Sequence, residues 1–334
     1  MRKLFFGMVA VGVGGVMLVL FLTRSPVFTF VTSDRPSTIE SELRFVVAGG
    51  LHADHGKLDL YGRDPAIRLR VLAEALNQRD DFKFMWSLGD QVCAGDSESS
   101  WEIFNSNWLE VAKFPVYYVA GNHDGSLDGF FENYTKSERY YSLDLGGIHF
   151  VALGFEGYFE DRVFSLEQEL WLQADLSVSH LPTIIMTHMV YDRSIGGGSP
   201  SDYVPASVRR IIEDDPDVKA VFGSHYPNTD PTRLYQNRSS GLYLAQVGEV
   251  NKQSSSPTLD VWDVFIVEIS DGDLTAYSYN VDNNSLSLWL PDQETITPSN
   301  DVLFGVDGIT LLSVLYAVLL ASVMMLYHMV YQGK

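Results

Sequence analysis

Phe114-Pro115-Val116-Tyr117-Tyr118-Val119-Ala120-Gly121-Asn122-His123-Asp124 is the stretch on which the fold turns. Its first part is a β-rich run, read as a strand over 115–120. Its last part is a polar cluster at the strand's end, where Gly121 permits a sharp turn. Asn, His and Asp together offer oxygen and imidazole donors suited to Zn, Mn or Fe. The same grammar recurs on both sides. Strands are expected at 44–48 and 83–88 upstream, and at 148–153, 183–187 and 219–223 downstream. All but 148–153 lead into polar clusters: Gly50-Leu51-His52, Gly89-Asp90, Thr187-His188 and Ser224-His225-Tyr226-Pro227. Helix-like stretches at about 66–79, 98–112, 165–178 and 203–214 lie between them. Such alternation predicts an α/β fold with largely parallel strands. In folds of that kind, sites gather at the carboxyl ends of strands. From 241 the pattern changes to consecutive strands at 242–247, 261–269, 274–280 and 286–290, with Asp271-Gly272 as a tight hairpin turn.

Singly these signals are modest, since Gly-Asp after a strand is common and a lone Thr-His usually serves a core. In order, each at a strand end, they carry weight. The series resembles the calcineurin-like metallophosphoesterases, which show D-x-H, G-D, G-N-H-D/E, a single H and G-H-x-H in that order. Leu166-Glu167-Gln168-Glu169-Leu170-Trp171-Leu172 is similar to the family as well, as is Tyr140-Tyr141-Ser142 followed by Gly147-Ile148-His149-Phe150. The resemblance covers roughly 43–290. It implies a sandwich of two β-sheets flanked by helices, with a two-metal site at one edge.

Carried over residue by residue, the resemblance implies that Asp90, Asn122, His188 and His225 hold one divalent ion, Zn, Mn or Fe. His123 matches the family's catalytic histidine and Asp124 its orienting acid, a pairing that would fix the tautomer of a general acid. The other ion is held in the family by both residues of D-x-H, the bridging Asp and the last His of the series. Here Gly50 and Pro227 stand at two of those positions, which leaves His52 and the shared Asp90. Both losses strike the same ion, so they read as linked, and the second site is expected to be degraded. Asp54, His55 and Asn228 are the nearest substitutes. Cys93 stands where purple acid phosphatases carry a ligand tyrosine, which argues against a ferric purple centre. The expected activity is metal-dependent hydrolysis of a phosphate mono- or diester. The alternative is a pseudoenzyme serving as scaffold or subunit of a membrane complex; the retained His123 and Asp124 favour chemistry.

Composition narrows the partners. The 334 residues carry a formal net charge of -20 and no basic run, which excludes nucleic acid as an expected partner. Cys93 is the single cysteine, so neither an internal disulfide nor a Cys-based zinc cluster is possible. Two apolar runs, 4–22 and 309–331, are each long enough to cross a bilayer core as a helix. No small-x-small cleavage site follows the first, which reads as a retained signal anchor. Arg2 and Lys3 precede it, and Lys334 follows the second run. The positive-inside rule then places both termini in the cytoplasm and the 43–290 domain outside or in a lumen, joined by linkers 23–42 and 291–308. Sequons at Asn133, Asn237 and Asn283 suit a lumenal domain. Ala10 and Gly14 form a small-residue face in the first run that would suit a membrane-protein partner.

Overall fold

The computed structural model describes residues 42–56, 64–125, 129–156, 164–191, 203–225, 233–236, 241–250, 263–270, 273–281 and 285–289. Both apolar runs expected to span a membrane lie outside the described residues, as do the linkers. Among the described residues no helix is long and apolar enough to cross a membrane.

Among the described residues, twelve strands form two six-stranded sheets. The first has the order β12 (Ser285–Trp289), β11 (Asp273–Asn280), β10 (Asp263–Ser270), β1 (Glu42–Ala48), β2 (Met85–Leu88), β3 (Val116–Val119). The second runs β4 (Tyr140–Leu145), β5 (Ile148–Leu153), β6 (Thr183–Thr187), β7 (Val218–Gly223), β9 (Tyr243–Gln246), β8 (Arg233–Gln236). The helices are α1 (Pro65–Asn77), α2 (Glu98–Phe104), α3 (Phe130–Thr135), α4 (Leu166–Val178) and α5 (Ala206–Asp214).

The expected α/β class and two-sheet sandwich are present, but the strands are not largely parallel. Five neighbouring pairs are parallel and five antiparallel. Connection length explains the difference, because a parallel pair needs a long crossover while a short turn forces antiparallel pairing. Leu145 pairs with Ile148 across a two-residue turn, and Ser270 pairs with Asp273, three positions on in the chain. The tail strands do not form a separate unit. β10 pairs antiparallel with β1 and extends the first sheet, while β9 joins the second beside β7. The helix expected over 98–112 ends as α2 and continues through a π turn, Asn105–Leu109.

Strand β1 is buried on both faces, as a central strand requires. Phe45 and Val47 point between the sheets, into a cluster with Trp86, Phe150, Met186, Phe222 and Phe265. Val46 and Ala48 point the other way, toward Leu69, Leu72, Trp101 and Phe104 from α1 and α2. Each large side chain buried this way contributes about 1.5–3 kcal/mol. Helix α4 is fastened to the second sheet by polar contacts. His149 on β5 lies between Asp144 and Asp175, with ring nitrogens 2.7 and 2.9 Å from their carboxylates. Ser142 Oγ on β4 also donates to Asp175, at 2.8 Å. The consequence for function is placement. The carboxyl ends of β1, β2, β3, β6 and β7 present the residues immediately after them to one region.

Candidate metal centre

Four non-glycine residues have positive φ among the described residues, and three of them are His52 (41°), Asp90 (52°) and His225 (76°). L-residues rarely adopt that backbone, and the strain persists where surrounding structure enforces it, often at functional sites. Each of the three sits in the turn just after a strand, where the left-handed kink redirects its side chain. The turn after β3 comes close to Asp90. A Cβ on Gly121 would lie 2.2 Å from Asp90 Oδ1, so only glycine allows that approach.

The four residues expected to hold the first ion converge. His188 Nδ1 donates to the Leu88 carbonyl at 2.7 Å, which leaves Nε2 as the nitrogen with a lone pair. Nε2 faces Asn122 Oδ1 at 3.0 Å, His225 Nδ1 at 2.9 Å and Asp90 Oδ2 at 3.3 Å. His188 and Asp90 are fully buried and Asn122 nearly so. Lone pairs of this number do not meet in a buried place without a cation among them, either a proton or a metal ion. Burial opposes charge on His188 more than any other influence, yet Asp90 and the Leu88 carbonyl lift its pKa above the ordinary imidazole value. Burial likewise opposes charge on Asp90, but His188, His52 and His123 hold its carboxyl well below the usual range. The donor set, two imidazoles, a carboxylate and an amide oxygen, fits Zn, Mn or Fe.

A second group shares Asp90. His52 Nε2 lies 3.5 Å from Asp90 Oδ2 and 3.5 Å from Glu249 Oε2. Ligand atoms of His52, Asp90 and Glu249 all fall within 4.8 Å of one another, and all three residues are buried. His52 Nδ1 is engaged by Cys93 Sγ at 3.2 Å, so Nε2 is again the nitrogen presented. Neither His52 Nε2 nor Asp90 Oδ2 has a hydrogen-bond partner among the described residues. Asp90 Oδ2 faces both groups, as a bridging ligand would. Burial is the strongest influence on His52 and lowers its pKa, but Glu249, Cys93 and Asp90 raise it well above the usual value.

Glu249 was missed by the reading of the sequence. The signal was available, since Gly248-Glu249 follows the strand expected at 242–247 just as Gly89-Asp90 follows the one at 83–88. The substitutes named instead are placed differently. Asp54 Oδ1 accepts the Cys93 backbone N–H, and His55 is not among the clustered ligands. Pro227 and Asn228 lie outside the described residues.

His123 and Asp124 are adjacent in sequence but do not pair. His123 Nδ1 donates to the Cys93 carbonyl at 2.8 Å, and its backbone N–H donates to Asp90 Oδ1 at 3.0 Å. The Asp124 carboxylate accepts from the backbone N–H groups of Gln91 at 2.7 Å and Gly121 at 2.9 Å. It therefore fastens the turn after β2 to the turn after β3, and the Cys93 carbonyl takes the orienting role expected of it. Burial and then the nearby Asp90 push the Asp124 carboxyl up to about 7, against the pull of the Gly121 N–H, His188 and the Val92 N–H. His123 alone is partly exposed in the stretch 121–125, its neighbours being buried. Its ring centre lies 5.4 Å from that of His52, beside the two ligand groups.

The comparisons agree with this fold. A sequence model of the calcineurin-like phosphoesterases matches residues 43–228, more than half of the chain. No curated protein matches the chain in sequence. A dimetal phosphatase from Danio rerio is similar in structure, with a TM-score of 0.56 at 14% identity, over 72% of this chain and 96% of that one. A purple acid phosphatase from yellow lupin (Lupinus luteus) seeds has a TM-score of 0.53 at 15% identity, over 76% of this chain and 54% of that one. GAP50 of Plasmodium, described as the anchor in the inner membrane complex, has a TM-score of 0.51 at 12% identity, over 78% of this chain and 93% of that one. At such identities the likenesses speak for the fold alone. The length of the family match, on a chain whose strand ends carry the ordered series, is decisive: the chain belongs to the calcineurin-like phosphoesterase family.

Proposed function

We propose that the chain is a membrane-anchored, metal-dependent phosphoesterase acting on a phosphate mono- or diester. The observation that carries this reading is the convergence of Asp90, Asn122, His188 and His225 on one point, with the partly exposed His123 beside it. A divalent ion held there would activate water and draw off phosphoryl charge. The protein's share is to fix the ligands, exclude solvent from Asp90 and His188, and present His123 to the leaving oxygen. Its Nδ1 is committed to the Cys93 carbonyl, so Nε2 is the atom from which a proton would pass. The test is hydrolysis of p-nitrophenyl phosphate and bis(p-nitrophenyl) phosphate with added Mn²⁺ or Zn²⁺. Turnover should appear with metal and vanish with a chelator. Metal binding without turnover of either ester would shift the balance to the second reading, a scaffold within a membrane complex. The likeness to the Plasmodium membrane-complex anchor, a likeness of fold, prompts that second reading.

The membrane part of the proposal rests on the two apolar runs and the charges beside them. Both termini are proposed to be cytoplasmic and the catalytic domain extracytoplasmic or lumenal, with the bilayer and a small-residue helix partner as neighbours. Protease added to sealed right-side-out vesicles should digest the domain and spare a tag at Lys334. A digested tag with a spared domain would invert the topology.

A further inference from the structure

The turn after β1 and the turn after β9 are joined backbone to backbone. Val250 N–H donates to the Gly50 carbonyl at 2.9 Å. A Cβ on Gly49 would lie 2.2 Å from the Gly248 carbonyl oxygen, closer than any side chain permits. The β9 side of this joint is itself anchored, because Val247 N–H donates to the Gly223 carbonyl at 2.7 Å. Glu249 sits between these fixed points. A Cβ on Gly50 would lie 3.2 Å from Glu249 Cγ and 3.0 Å from the His52 ring. The space into which a side chain at 50 would grow is the space that Glu249 and His52 already share.

We infer that Glu249 is a metal ligand that has taken the place of the carboxylate missing at position 50, so that His52, Asp90 and Glu249 hold a second ion beside the first. The inference rests on the phosphoesterase reading for its meaning and on geometry for its substance. Gly50 and Glu249 then form a linked pair. The carboxylate reaches the site from the turn after β9 instead of the turn after β1, and glycine at 50 makes room for it. The loss at position 50 is thereby an exchange of donors. The two sites differ in kind. The first is rich in imidazole, while the second has one imidazole and two carboxylates, a harder set that suits Mn²⁺ or Mg²⁺ better than the first does. Three protein ligands leave positions open for water or substrate.

The test is the metal content of the purified full-length chain, kept in mild detergent, after loading with Mn²⁺ and removal of free ion. The native chain should hold about two ions, as a two-metal site requires. Glu249→Ala and the shape-conserving Glu249→Gln should each hold one. Gly50→Asp alone should lose the second ion too, since its side chain meets Glu249 and the His52 ring. Gly50→Asp combined with Glu249→Ala should regain it, an outcome that a merely structural glutamate would not produce. Two ions retained in both Glu249 variants would overturn the inference, as would a single ion in the native chain. Either result leaves the phosphoesterase reading to its own assay. Conversely, the second ion lost and regained as described, with no ester turned over, would sustain the inference and remove the reading.

Discussion

Asp90→Asn is expected to strip the protein of both ions and to lower phosphoester turnover by at least about 10³-fold, the equivalent of roughly 4 kcal/mol of transition-state stabilisation. Asp90 Oδ2 is the atom common to both ligand groups, 3.3 Å from His188 Nε2 and 3.5 Å from His52 Nε2. Removing its charge removes the carboxylate that both imidazoles face. Asparagine is the appropriate replacement because it tolerates the left-handed backbone at φ 52° better than alanine and keeps the side-chain shape. It also keeps an oxygen to accept the His123 backbone N–H now held by Oδ1 at 3.0 Å. The loss can therefore be read as loss of charge and ligation. Metal analysis and ester hydrolysis on the same preparation check it. Full metal content and full rate in Asp90→Asn would mean that the centre lies elsewhere.

The parts of this site legible in the sequence were those whose ligands stand directly behind their own strand. Asp90, Asn122, His188 and His225 each follow an apolar run within a few residues, so local pattern was enough to single them out. Glu249 obeys the same grammar. What gives it a role is the contact between Gly248-Glu249-Val250 and Gly49-Gly50, two segments that only tertiary structure brings together. Adjacency misled in the opposite direction at Asp124. Its side chain turns to the Gln91 and Gly121 amides, because a buried carboxylate gains more from several backbone donors than from one neighbouring imidazole. In the fold, β4 went unread although its sequence alternates: Tyr141, Leu143 and Leu145 pack against the core between the sheets, while Ser142 and Asp144 between them bond to Asp175 and His149. Helix 98–112 reads as continuous because periodicity does not register a π turn, which shifts the face by one residue at Asn105–Leu109.

His123→Ala is expected to slow hydrolysis of an alkyl phosphate by about 10²–10⁴-fold and to slow an activated aryl phosphate far less. An alkoxide is a poor leaving group and needs a proton as it departs, while a nitrophenolate does not. The difference between the two substrates therefore isolates proton donation from every other contribution of the side chain. The geometry supports that role. The Cys93 carbonyl fixes Nδ1 as a donor, which points Nε2 away from the turn, and the residue is partly exposed where Asn122 and Asp124 are not. The substitution should leave metal content intact, because His123 is in neither ligand group and its contact to Asp90 Oδ1 is made by backbone N–H. That second measurement separates it from Asp90→Asn, which should lose ions and rate together. Equal losses on the alkyl and aryl esters, with metal retained, would show that His123 binds the phosphoryl group without feeding a proton to the leaving oxygen. Loss of metal in His123→Ala would instead make it a ligand, and the acid would have to be sought among other residues at the rim.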